Sequence, residues 1–342
     1  MVHDLRSDTV TRPTSGMLDY MMKAEVGDDV FVEDPTINRL ERKCAGLFGM
    51  EAALFCPSGT MANQIAIKVH TQPGDEVIAD QLSHIYHYEG GGVAVNSGAS
   101  MRLLAGEKGC FTAEQVEQNI NNPEDIHLPL STLVSVENTC NKGGGSIYDF
   151  SELTRIGALC NQRGLAFHMD GARLFNAIVA TEQTPEDFGR LFDSISICIS
   201  KGLGAPVGSV LIGSEAFIKK ARRVRKVLGG GMRQAGYLAA ACIYAIDNHV
   251  ERLVEDHALA IELGAVLQHA SFTKNILPIE TNIIVVELKP GFEAKQVLHD
   301  LKENGFLAVP FGAGRIRFVT HLDIDKAKVL EDMKKFVEDD NR

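Results

Sequence analysis

The chain has 342 residues, of which 45% are hydrophobic and 23% charged, and a net charge of −11. That acidic balance excludes a general affinity for nucleic-acid backbones or anionic membranes, and the one basic cluster, Lys219 to Lys226, reads as a solvated helix face. Seven cysteines stand singly with no Cys-x-x-Cys pair, the charged Met1 to Arg6 start is no signal peptide, and no apolar run is long enough to span a bilayer. Together they predict reduced thiols in a cytoplasmic protein.

The length predicts a large unit with a smaller partner. Residues 1–14 read as an extended arm ending near Pro13, and Met17 to Ala24 as a first helix. Asp34-Pro35-Thr36 starts a second helix, with Asp34 as cap and Pro35 at the first helical position, running to Gly49. From there strands at 52–56, 75–80, 133–137, 165–169, 195–199 and 207–212 alternate with helices such as 60–70 and 151–163. This alternation predicts an α/β fold, a mainly parallel sheet between helices. Beyond Gly229-Gly230-Gly231 come a long helical stretch from 234 to 268 broken near Asn248, a strand at 282–288, a helix from 293 to 304, a short strand at 316–320 and a closing charged helix from Asp325. These runs predict a small α+β domain of residues 251–342 with the arm 1–14, beside a large domain of residues 15–250.

Lys201 follows an apolar β-branched run, Ile195 to Ile199, and precedes Gly202 and Gly204. A lysine held at a strand end beside glycines is a candidate Schiff-base nucleophile. Asp170 ends another buried-strand pattern 31 positions earlier. In an α/β chain that is about one crossover, which brings both side chains to the carboxyl edge of one sheet. Pyridoxal phosphate needs this pair, an amine for its aldehyde and a carboxylate for its ring nitrogen. Ser58-Gly59-Thr60 opens the helix after a strand and suits a phosphate; read alone it is a plain cap. His84 follows another strand end, where an imidazole can stack on a ring. Its spacing of three to His87 also suits a metal, but no carboxylate or second histidine pair in the sequence completes a set, so no metal is expected. No Gly-x-Gly-x-x-Gly opens a helix, which argues against a dinucleotide enzyme.

In order along the chain, Asp4 to Thr11, Pro57 to Asn63, His84, Glu137-Asn138-Thr139, His168 to Arg173, Ser200 to Gly208 and Arg317 to His321 resemble the low-specificity L-threonine aldolases. The resemblance implies the aspartate-aminotransferase-like fold type I, pyridoxal phosphate on Lys201, and cleavage of L-threonine or L-allo-threonine to glycine and acetaldehyde. It places Ser58, Gly59 and Thr60 on the phosphate, Asp170 on the ring nitrogen, His84 on the ring face and Arg173 by the ring hydroxyl or the substrate carboxylate. Ser7 and Arg317 would clamp that carboxylate, with Tyr88 beside the substrate. Arg233 would reach the phosphate, supplied across a dimer interface, and His127 would be a second active-site histidine. Either His127 or His84, directly or through water, would take the β-hydroxyl proton. The family also implies a homotetramer, a dimer of dimers. One departure is visible: Cys140-Asn141-Lys142 and three glycines stand where a histidine and a single glycine are expected. The nearest rival is another fold-type-I enzyme, a β-eliminating lyase or an aminotransferase.

Overall fold

A computed structural model describes residues 2–340. The arm begins with a two-residue strand, β1 (His3–Asp4). Seven strands then form one sheet: β2 (Ala52–Cys56), β3 (Glu76–Asp80), β4 (Ser100–Leu104), β5 (Ser131–Glu137), β6 (Ala166–Gly171), β7 (Ser194–Cys198) and β8 (Ser209–Gly213). Their order is β2-β8-β7-β6-β5-β3-β4, with β8 antiparallel to both neighbours and every other pair parallel. This is the α/β architecture expected. β4 had no signal in the sequence because it is an edge strand whose Ser100, Met101 and Arg102 are not buried, so no apolar alternation marks it.

Local chemistry accounts for the boundaries. Asp34 caps the helix Pro35–Leu47, its Oδ1 accepting from the amides of Thr36 and Ile37 at 3.1 and 3.0 Å. Gly164 ends Phe150–Arg163 in the left-handed conformation at φ 68°, which costs a glycine nothing. The helical stretch after residue 234 is two helices, Gly236–Asn248 and Leu253–Leu267.

β6 and β7 alternate in a way that decides the site. Phe167, Met169, Ile195 and Ile197 point into the largest apolar core, while His168, Asp170, Ser194 and Ser196 fill the opposite face beneath the helix Gly59–His70. A second core gathers Leu259, Leu263, Ile284, Val286, Phe318 and Met333 around a four-stranded antiparallel sheet. Its strands are β9 (Thr273–Ile276), β10 (Ile283–Leu288), β12 (Val309–Pro310) and β13 (Arg315–Val319), in the order β12-β13-β10-β9. β1 pairs in parallel with β11 (Phe306–Leu307), and Leu5 joins this second core. No helix among the described residues is long and apolar enough to cross a membrane.

Candidate active site

β6 and β7 are adjacent and parallel, with Asp170 opposite Ser196, so Asp170 and the turn carrying Lys201 emerge at one sheet edge. The Lys201 amine makes no hydrogen bond or ion pair among the described residues. It lines a cleft of about 340 Å³ with Ser7, His84, Tyr88, Asn141, Arg173 and Arg317. Arm, strand ends and the second sheet therefore all contribute to one site.

Asp170 is buried. Its Oδ2 accepts from Asn63 Nδ2 at 2.8 Å and its Oδ1 from the Ala172 amide at 3.1 Å. Asn63 Nδ2 also donates to Glu89 Oε1 at 2.9 Å. The His84 ring bonds the same Glu89 oxygen through Nδ1 at 2.9 Å, and its backbone amide donates to Glu137 Oε2 at 2.7 Å. Burial opposes charge on His84, but the Glu89 hydrogen bond and the Asp170 and Glu137 carboxylates outweigh it and raise the imidazole above its ordinary value. Burial, followed by repulsion from Asp170, pushes the Glu137 carboxyl up.

The sequence expectation that no carboxylate joins His84 is corrected by this geometry: ligand atoms of His84, Glu89 and Asp170 lie within 4.8 Å of one another. His87 is not part of the group, since its ring bonds the Gln81 carbonyl at 2.7 Å. The carboxylate oxygens already accept from Asn63, Gln64, Ala172 and His84. Such an acidic, hydrogen-bonded group suits a protonated ring nitrogen better than a metal wanting bare oxygens.

Arg173 forms a buried two-point pair with Asp8, from Nε at 2.8 Å and Nη2 at 2.7 Å, so the arm occupies much of its guanidinium. Arg317, on β13, donates to Asn141 Oδ1 at 2.7 Å and to the Arg6 carbonyl at 3.0 Å. Its Nε is buried without a partner. Burial, then repulsion from Arg173, lowers the Arg317 guanidinium to about 10. Two arginines with spare donors facing one cleft are chemistry for a carboxylate.

Ser58 is the cap of Gly59–His70, its Oγ accepting from the Met61 amide at 3.1 Å. A Cβ on Gly59 would meet Cys198 Sγ at 2.4 Å, so only glycine lets this helix start press against the end of β7, three residues before Lys201. The Thr60 hydroxyl and the first amides of the helix are left for an anion. An uncommitted amine, a buried carboxylate and a helix N-terminus at one edge fit a phosphorylated pyridine aldehyde.

Two expected residues are not brought to this cleft. His127 is 87% exposed by its side chain and bonds Asp125 at 2.9 Å, and Arg233 pairs with Asp28 at 2.8 Å on the surface. Sequence reading missed Asp8, Asn63, Glu89 and Asn141. Asn141 falls in the departing segment, where Gly143 and Gly145 permit close approach: a Cβ would meet the Lys108 carbonyl at 1.9 Å and Thr281 Oγ1 at 2.6 Å respectively.

The fold is thus that of the fold-type-I α/β enzymes, with a cleft whose residues suit pyridoxal phosphate. Residues 4–289 match the beta-eliminating lyase family. The chain is 43% identical over 341 residues to a probable low-specificity L-threonine aldolase 2 of Arabidopsis thaliana, covering 97% of this chain and 96% of that one. It is 42% identical over 332 residues to the low specificity L-threonine aldolase of Escherichia coli K12, covering 96% of each. A threonine aldolase structure from Leishmania major superposes with a TM-score of 0.83 at 24% identity, covering 99% of both chains, which supports the fold. The chain belongs to the low-specificity L-threonine aldolase family, within the beta-eliminating lyases.

Proposed function

We propose that this chain cleaves L-threonine, L-allo-threonine and related β-hydroxy-α-amino acids to glycine and an aldehyde, with pyridoxal phosphate held on Lys201. The observation that carries this reading is the free Lys201 amine, facing two arginines at the same sheet edge as the buried Asp170. When bound, pyridoxal phosphate supplies an electron sink for the Cα–Cβ bond that breaks.

The chain's own residues do the rest. Ser58, Gly59 and Thr60 would hold the phosphate at the helix start, and Asp170 would hold the ring nitrogen protonated. Arg317 and Ser7 would take the substrate carboxylate, with Asn141 fixing the Arg317 fork, so that the amino acid is oriented before reaction. Arg173, tied to Asp8, closes that wall. Tyr88 lies over the His84 ring, with centroids 5.5 Å apart, and would narrow the approach to the substrate hydroxyl. His84 is the group we assign to that proton, because it lines the cleft and His127 does not.

His127 and Arg233 enter the reading only through assembly. Exposed Ile126, Leu128 and Leu130 flank His127. Exposed Phe31 and Val32 sit beside Arg233, whose carbonyl accepts from the Asp29 amide at 3.2 Å. We assign both regions to contacts between copies in a cytoplasmic homotetramer.

Acetaldehyde release from threonine by the purified, cofactor-loaded protein tests the reading. Transamination of alanine, or loss of a β-substituent, in place of acetaldehyde would assign the chain to the aminotransferase or β-eliminating alternative.

A further inference from the structure

Beneath the helix Gly59–His70 lies a polar chain that the reading above does not use. His70 Nε2 is 2.8 Å from Ser194 Oγ, and that hydroxyl is 2.9 Å from His168 Nδ1. His168 Nε2 is 3.3 Å from Asn63 Oδ1, which also accepts from Ser196 Oγ at 2.6 Å, and Asn63 Nδ2 donates to Asp170. Asn63, His168, Ser194 and Ser196 are buried, whereas His70 lines a cavity of about 630 Å³ at the edge where β6 and β7 begin. The chain thus runs the depth of the sheet, from that rear cavity to the carboxylate at the opposite edge.

Its polarity follows from one end. Asn63 Nδ2 donates to two carboxylates, those of Glu89 and Asp170, which turns Oδ1 toward Ser196 and His168. His168 must then carry its proton on Nε2. Its bare Nδ1 accepts from the Ser194 hydroxyl, whose remaining lone pairs accept from His70 Nε2–H. The other tautomer would let Nδ1–H reach the Ser194 carbonyl at 3.2 Å, but it would set two lone pairs face to face at His168 and Asn63. Burial lowers both imidazoles, His168 to about 3 and His70 to about 4, so both are neutral near pH 7.

We propose that His70, Ser194 and His168 are positioning residues for Asp170, forming a hydrogen-bonded chain that directs donors through Asn63 onto its carboxylate and so strengthens its hold on a protonated ring nitrogen. This rests on the pyridoxal-phosphate reading. A layer that only filled space would be served as well by apolar side chains, as on the other face of the same strands.

The first test needs no cofactor. Imidazole ¹⁵N shifts of the ligand-free protein are expected to show His168 in the Nε2–H tautomer; the Nδ1–H form overturns the proposal. The second uses His70→Phe, which keeps the stack on Phe217, and Ser194→Ala. Each is expected to weaken pyridoxal phosphate binding about 5-fold, the scale of one hydrogen bond, and to alter the pH profile of the bound cofactor's visible absorbance. The double variant is expected to bind no worse than the weaker single, because a chain cut once is cut. Folded variants with the parent's affinity and absorbance overturn the chain. A parent protein that takes up no pyridoxal phosphate overturns the functional reading instead, while the ¹⁵N result judges the hydrogen-bond polarity separately.

Discussion

Asp8 and Arg173 form a two-point pair of 2.7 and 2.8 Å, both buried, that ties the N-terminal arm to the turn after β6. Burial alone would raise the Asp8 carboxyl, but the Arg173 guanidinium, its hydrogen bonds and nearby Lys201 hold it well below the usual carboxylate range. The depressed value means that this stabilisation is fully present above the unfolded aspartate value of about 3.9, and is lost as pH falls below it. Asp8→Ala leaves Arg173 buried and unpaired, so it is expected to cost about 3–5 kcal/mol near pH 7. Urea unfolding of the parent and the variant should begin to converge only as pH falls below about 4, and go on converging toward the much lower folded value.

His84 carries a proton to higher pH than an ordinary histidine because Glu89, Asp170 and Glu137 surround it, even though burial works the other way. If His84 takes the hydroxyl proton, kcat/KM for threonine rises with pH through a limb above the usual imidazole value of about 6.5. In Glu89→Gln that limb should move to lower pH. A limb that stays in place would remove His84 from the role.

Arg317 is held by Asn141 and the Arg6 carbonyl, with Nε left over. Arg317→Ala is expected to raise KM for threonine about 10- to 100-fold, the scale of a charged hydrogen bond, with a smaller change in kcat. Arg317→Lys should not restore it, because an ammonium cannot reproduce the fork. Asn141→Ala should give a lesser rise in the same direction.

Among the described residues His127 is exposed and bonded only within its own loop, so His127→Phe should change stability by less than about 0.5 kcal/mol. Its catalytic effect is expected to cross between subunits. Mixed oligomers of His127→Phe with Lys201→Ala chains should cleave threonine faster than the His127→Phe and Lys201→Ala proteins measured separately; no gain would confine His127 to its own loop.

The strand-end placement of Lys201 and Asp170 was legible because apolar runs of fixed length end in glycine, and one crossover separates them. His84 was legible because it closely follows the strand pattern at 75–80. Asn63 and Asn141 were not, since each acts by a contact across 26 or more positions, Asn63 to Glu89 and Asp170, and Asn141 to Arg317; Glu89 bonds His84 from the same segment, but nothing in the sequence turns its carboxylate inward. A faint signal existed in the polar His168, Asp170, Ser194 and Ser196 spaced by two within otherwise apolar strands. The second sheet was partly hidden too, because β9 is short and half exposed and β12 has two residues, one of them Pro310.

Threonine-dependent acetaldehyde formation, measured on parent and Lys201→Ala proteins after loading with pyridoxal phosphate, decides whether Lys201 carries the chemistry. Turnover is expected from the parent and none from Lys201→Ala, with both chains folded to the same extent, because the substitution removes the amine and leaves the core intact. Acetaldehyde release by Lys201→Ala at the parent's rate would contradict it.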